Sequence, residues 1–303
     1  MSVMFQLQKI KRKDLDIKKY SKAIEKALNY RIYAEYWYLD VLTDEKWECW
    51  ICGDYEVIMP IPLQYKFGIK FVLQPFYCQQ LGVFYQNEIP DGLFKKFEEK
   101  LHQYKVRVYH FNEENTERYR PKGEKRVNHL LSLQRDYEEI QKKFRKDRLK
   151  DIRRNNKLNL ILKEEFDFDL FFELRRKEYT ELESISDLNL TKKFIKALLD
   201  SGKYLGYTLY NEQEQPLASC LFSQSKSRVI LQFSARNKSI EPRGAATFMR
   251  SFIIEKLSNQ GLFLDFEGSS IPGIADFNES LGAEKHYFTR FINVDSIKSF
   301  FKI

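Results

Sequence analysis

This sequence predicts two domains of the α/β class, with helices layered on mixed (α+β) sheets, and three observations carry that prediction. The chain has 303 residues, a length that suggests about two domains, each able to bury its own core. Strand-like apolar runs alternate with runs of helical spacing through both halves, the pattern of helices packed on sheets. A polar stretch, NEENTERYRPKGEKR, separates the two series, so the expected division is residues 1–125 and 126–303.

In the first half, VMFQLQKI reads as a strand, KKYSKAIEKAL as a polar helix and AEYWYLDVL as an aromatic, helix-compatible run. KWECWICG, YEVIMPIPLQY and IKFVLQPFY follow as strands. Gly53-Asp54 and Phe67-Gly68 supply turn chemistry between them, so a meander is expected. After QQLGVFY come a helix in DGLFKKFEEKLHQY and a strand in KVRVYHF.

The second half opens with a strand, VNHLLSLQ. Ile140, Phe144, Leu149 and Ile152 then form one apolar stripe, which predicts a single helix. LNLILKEE reads as a strand, and FDLFFELRRKEYTEL and TKKFIKALLDS as helices. KYLGYTLYN, PLASCLFSQ and RVILQFSAR form a second meander. SIEPRG leads into a helix with Phe248, Phe252, Ile253 and Leu257 at helical spacing. LFLDFEGS is expected as a strand, GIADFNESLG as a short helix and HYFTRFINV as a closing strand.

Composition narrows the class. With 43% hydrophobic and 31% charged residues the chain reads as a soluble globular protein. No apolar run approaches the ~20 residues of a membrane-spanning helix, and MSVMFQLQKIKRKD lacks the apolar core of a secretory signal. The expected location is the cytoplasm. Cys49 and Cys52 form a C-x-x-C, but on a strand positions three apart face opposite sides. No second closely spaced Cys/His pair completes four ligands, and no metal is expected. His102, His110, His129 and His286 are dispersed and form no triad or metal pattern. The net charge is +8, from 51 basic and 43 acidic residues; nine of the former and two of the latter fall in QKKFRKDRLKDIRRNNKLNL, residues 141–160. That leaves 42 and 41 elsewhere, so the basic character belongs to one segment.

Four stretches carry candidate chemistry, each beside a plainer account. Asp265 and Glu267, two apart at a strand end, are expected to share one face. A carboxylate there can take a proton from an attacking amine or hold a cationic acceptor. The plainer account is capping of the next helix, and Asp265, flanked by Phe on both sides, fits the structural role better. Arg243-Gly244-Ala245-Ala246 stands at a helix start, where unpaired N–H groups suit phosphate oxygens; an ordinary helix entry is the alternative. Lys146, Arg153, Arg154 and Lys157 suit an anionic ligand, or simply form a solvated helix face. Ser269 belongs to the Gly-Ser bend after Glu267, a further candidate contact for substrate. No Walker A, dinucleotide or Gly-x-Ser-x-Gly pattern is present. Nothing resembles a base-reading module, and no DNA is expected as a partner.

RKDRLKDIRRNNK, the run ILQFSAR followed by RGAATFMRSFIIEKL, and LFLDFEGSSIPGIADFNESLGAEKHY together resemble the GNAT-like acyl-CoA N-acyltransferase fold. YEVIMPIPLQYKFGIKFVLQPFYCQQLGVFY resembles the first module of the FemABX-type double-GNAT arrangement, found in bacterial peptidoglycan aminoacyltransferases. The resemblance spans most of the chain. It implies transfer of an acyl or aminoacyl group, from acyl-CoA or aminoacyl-tRNA as co-substrate and with no permanently bound cofactor, to an amine acceptor such as a small molecule or a cell-wall precursor. It further implies that backbone around Leu231, Phe233 and Ser234 holds the acyl group, that Gln79 and Gln80 line a substrate groove, and that Arg243 faces donor phosphates; for the glutamines, buried amides satisfying loop backbone are the simpler account. The chain departs from the pattern at Phe277-Asn278 and in the single glycine of Arg243–Ala246. A non-catalytic protein that binds a ligand or partner through the same fold is the rival expectation.

Overall fold

The computed structural model describes residues 6–178, 185–268 and 272–293. The chain divides into one unit of residues 1–127 and 287–303 and another of 128–286. The closing strand therefore returns to the first unit instead of staying in the second.

In the first unit β1 (Leu7–Lys11) is followed by α1 (Ile17–Lys26) and α2 (Tyr36–Thr43), then by β2 (Trp47–Cys52), β3 (Val57–Lys66) and β4 (Ile69–Leu73). β5 (Phe84–Tyr85), α3 (Asp91–His102), β6 (Val106–Phe111) and α4 (Glu113–Tyr119) complete it. The sheet order is β1-β2-β3-β4-β6, with β5 on β3. The meander β2-β3-β4 is antiparallel and β4-β6 is parallel. α1 forms because Asp16 caps its start, accepting from the Lys19 N–H at 3.0 Å, while Tyr20, Ala23 and Ile24 turn one face inward. The four cysteines are free, and burial pushes the Cys49 thiol up. Among the described residues no cluster of His, Cys, Asp or Glu is placed to hold a metal ion.

The polar stretch after β6, whose composition suggests an exposed connection, is buried over its first residues and mostly exposed beyond them. Asn112, Glu113, Asn115 and Thr116 are buried, and Asn112 caps α4 by accepting from the Asn115 N–H at 2.9 Å. Arg31, buried, reaches Glu113 at 3.1 Å and Glu114 at 2.6 Å. Polarity here is satisfied internally.

His110 has a consequence of its own. Burial lowers its pKa to about 4, and its Nδ1 lies 2.7 Å from the Gln79 carbonyl, so Nδ1 carries the proton and donates to it. The unfolded imidazole protonates near its ordinary value of about 6.5. Between those two values the unfolded chain binds more protons, so this stability is complete above about pH 6.5 and falls away toward pH 4, by about 3 kcal/mol in all. His110→Gln is expected to be less stable at pH 7 and to close that gap by pH 4.5, measured by urea unfolding at each pH.

β7 (Glu124–Ser132) leads from the first unit into the second from Asn128 onward. There follow α5 (Tyr137–Gln141), α6 (Lys146–Asn155), β8 (Ile161–Lys163), α7 (Phe168–Glu178), α8 (Ile185–Asp200), β9 (Tyr204–Tyr210), β10 (Pro216–Gln224) and β11 (Arg228–Arg236). α9 (Ala245–Leu257), β12 (Phe263–Asp265) and α10 (Pro272–Ser280) come last, before β13 (Glu284–Phe291). The sheet order is β7-β12-β11-β10-β9-β8. β11-β12 is the parallel pair, joined through α9. Thr289–Phe291 of β13 pair with Tyr109–Phe111 of β6, which is why that strand belongs to the first unit.

Three expectations change here. The single helix over Ile140–Ile152 is two helices, because the Arg145 N–H donates to the Ser280 carbonyl at the break while Ile140, Phe144 and Ile152 still face the core. On α9 the buried stripe is Met249, Ile253, Ile254 and Leu257, and Phe252 is exposed. β12 stops at Asp265, short of the predicted strand end. Among the described residues no helix is long and apolar enough to cross a membrane.

Candidate functional site

In the second unit two parallel strands lie side by side and then part. β12 pairs with β11 only from Arg228↔Phe263 to Ile230↔Asp265, while β11 continues to Arg236. Two local features make the parting. On β11 the register with β10 slips from Leu221↔Phe233 to Phe222↔Leu231, so Gln232 is the extra residue of a β-bulge; bulges bend a strand and gather beside active sites. Its side chain is tied down by donating to Ser223 Oγ at 3.1 Å. On β12 the chain turns away through Glu267, at φ +57°, a left-handed conformation that is uncommon outside glycine.

Asp265 sets that turn. Its carboxylate is fully buried and accepts from the Glu267 N–H at 2.9 Å, from Arg228 at 2.9 Å and from Asn128 Nδ2 at 3.2 Å. A carboxylate so enclosed by a guanidinium, an amide and a backbone N–H does not meet a substrate amine. The predicted pair therefore separates: Asp265 is a buried support, and the left-handed turn takes Glu267 off the strand face the two were expected to share. Glu267 is half-buried at the mouth of the parting. Ser269 lies outside the described residues.

Along β11, Phe233 is core, its ring 5.9 Å from Phe194 and 6.2 Å from Phe171, whereas Ser234 is exposed. Only backbone at 233 can serve a ligand; Leu231 and Ser234 flank the bulge on the stretch β12 has left.

The start of α9 is occupied. Gly244, at φ +87°, is its N-cap, and a Cβ there would fall 2.6 Å from the Asp151 side chain of α6. Only glycine allows this approach. Asn155 of α6, buried, donates to the Arg243 carbonyl at 3.0 Å and fastens the two helices. Asp151 is held in turn by Arg154 at 3.1 Å and Arg148 at 3.5 Å. A carboxylate beside a helix N-terminus is favourable for the helix. Ala245 is buried and Ala246 half-buried, while the Arg243 guanidinium is exposed with no partner among the described residues. At Arg243–Ala246, where a phosphate cradle was expected, the Asp151 side chain lies against Gly244.

The basic helix resolves into two faces. Arg145 grips Asp147 at 2.8 Å and Asp276 at 2.7 Å, a contact that lowers the Asp147 carboxyl to about 2. Lys146, Lys150 and Arg153, spaced four and three apart on α6, and Lys157 just beyond its end, are exposed with no carboxylate partner among the described residues. Arg154, also exposed, is tied to Asp151.

Gln79 and Gln80 sit in the first unit, in a network of their own. Gln80 is fully buried, donates to Gln79 Oε1 at 2.9 Å and to Glu113 at 3.2 Å, and accepts from the Glu113 N–H at 3.2 Å. It supports a loop and faces no groove. Around it the first unit's parallel pair is stitched together where the second unit's parts. Beyond β4, the Gln74 N–H donates to the Val108 carbonyl, the Leu81 N–H to that of His110 and the Asn112 N–H to that of Leu81, all within 3.0 Å.

Sequence reasoning passed over Arg228, Asn128, Asp151 and the bulge at Gln232. A charged residue opening the apolar run RVILQF was a usable signal for Arg228; the others depend on contacts between distant segments.

Meander, helix crossover, parallel strand and parting together define the class of fold: the chain is built of two units that are GNAT-like in fold. Among solved structures it is similar to FemX, with a TM-score of 0.69 at 9% identity over 98% of this chain and 100% of that one. It is also similar to L-PGS from Bacillus licheniformis (TM-score 0.59, 11% identity, 94% of each chain). A tandem GNAT protein from the clavulanic acid biosynthesis pathway gives a TM-score of 0.50 at 9% identity, over 94% of this chain and 98% of that one. No family model and no curated protein matches the chain by sequence.

Proposed function

We propose that the second unit transfers an aminoacyl group from its ester on tRNA to an amine acceptor, in the space between β11 and β12. The observation that carries this reading is the parting of those strands with Glu267 at the bend. The ester carbonyl would lie against the backbone of Leu231 and Ser234, where N–H groups can meet the charge that develops on its oxygen. The acceptor amine attacks the carbonyl carbon, Glu267 takes the proton the amine sheds, and that proton passes to the ribose oxygen as the ester C–O bond breaks, so that the ribose leaves with its hydroxyl and the new amide remains. Most of the rate gain comes from holding amine and ester together, so few side chains are needed.

Two observations favour RNA over CoA as carrier of the acyl group. Asp151 stands beside Gly244, where CoA phosphates would approach the helix start. Lys146, Lys150, Arg153 and Lys157 offer exposed cations to a phosphate backbone, which is held by charge and shape.

Filter binding of aminoacylated total tRNA, set beside calorimetry with acetyl-CoA, tests the donor. Lys150→Glu/Arg153→Glu is expected to weaken tRNA binding severely and to reduce its log–log salt slope by about 0.7–0.9 for each phosphate no longer neutralised. Acetyl-CoA is expected not to bind. Tight acetyl-CoA binding with an unchanged tRNA isotherm in the variant would overturn the reading.

A further inference from the structure

The hairpin joining β3 to β4 is built against its own folding interest. Its two-residue turn is Phe67-Gly68, with φ +50° and +72°. A turn with both residues left-handed is the type that favours Asn-Gly or Asp-Gly, because a bulky side chain at positive φ is strained. Phe67 accepts that strain and buries nothing: it is 90% exposed, and Tyr65 on the arm behind it is 54% exposed. Lys66 Nζ stands 5.5 Å from the Phe67 ring, with no acid partner among the described residues. From residue 57 to residue 86 the sequence contains no Asp or Glu. A strained, exposed ring that stabilises nothing within the chain points outward, to something the chain touches.

We propose that this hairpin tip docks the protein on an anionic lipid bilayer, with Phe67 and Tyr65 entering the interface and Lys66 meeting the headgroups. Size favours lipid over a protein partner. Two side chains on a narrow turn offer far less than the roughly 800 Å² per partner of a specific protein interface. Aromatic rings settle at a bilayer interface without any matching surface. A lysine beside them gains from a negative leaflet, and the hairpin's own sequence contributes no carboxylate to oppose it. The inference rests on the first unit alone and is independent of the transfer reading, which rests on the second.

Co-sedimentation of the full chain with vesicles of phosphatidylcholine alone, and with added phosphatidylglycerol, tests it. Binding is expected only to the anionic vesicles and to fall as salt is raised. Phe67→Asn creates the preferred Asn-Gly turn, so the hairpin is retained while the ring is lost; partitioning is expected to drop roughly tenfold. Lys66→Glu is expected to lower it about fivefold or more. Equal sedimentation of wild type and Phe67→Asn would overturn the proposal. So would the absence of any anionic preference, a self-association in ultracentrifugation that Phe67→Asn abolishes, or a loss of tRNA binding in that variant with vesicle binding intact.

Discussion

Arg228→Met is expected to destabilise the second unit by about 3–5 kcal/mol, because it leaves the Asp265 carboxylate buried beside no guanidinium. Asp265 has no exposed surface, so water cannot replace the lost partner. Two of the remaining contacts, from Asn128 and the Glu267 N–H, are neutral donors. Removing both charges together in Arg228→Met/Asp265→Leu is expected to cost less than Arg228→Met alone, since a buried ion pair is weak support for stability while a broken one is a severe defect. Far-UV circular dichroism in urea follows the effect, because all three Trp (Trp37, Trp47 and Trp50) lie in the first unit. A double variant less stable than either single one would show that the pair does more than neutralise itself.

Glu267→Gln is expected to lower single-turnover aminoacyl transfer by roughly 10²–10⁴-fold, the range over which a positioned general base contributes. The amide keeps the size and the turn of Glu267 but cannot take a proton. The rising acid limb of the wild-type pH–rate profile should vanish with it, whereas a structural role would lower the rate and leave the profile's shape intact. Glu267→Gly separates backbone from side chain: it relieves the strain at φ +57°, so the variant should fold at least as well and still be inactive. Transfer unchanged in both variants would show that Glu267 is not the base, whereas donor binding without transfer in the wild type would make the second unit a binding module.

The element order of this chain was legible because each element announces itself over a few residues. Turn chemistry at Phe67-Gly68, apolar runs in the two meanders and helical spacing after Arg243 depend on neighbours close in sequence. The misplaced boundaries share a different cause. LFLDFEG continues its strand pattern past Asp265, and nothing local says that Arg228, 37 residues earlier, will claim that carboxylate and turn the chain out. NEENTERYRP reads as exposed because its polarity is visible and its partner Arg31 is 82 residues away.

The candidate site divides along the same line. Sequence alone determined that acids stand at and just past the end of the last inner strand, that a glycine opens the helix before that strand, and that positive charge gathers on one segment, since these are properties of covalent order and composition. Tertiary structure decided that Asp265 is fully buried while Glu267 is half-buried, that Asp151 faces Gly244, and that Lys146, Lys150 and Arg153 are exposed on α6. Burial and charge pairing are interactions between segments, and a carboxylate becomes a support or a reagent according to what the fold brings beside it.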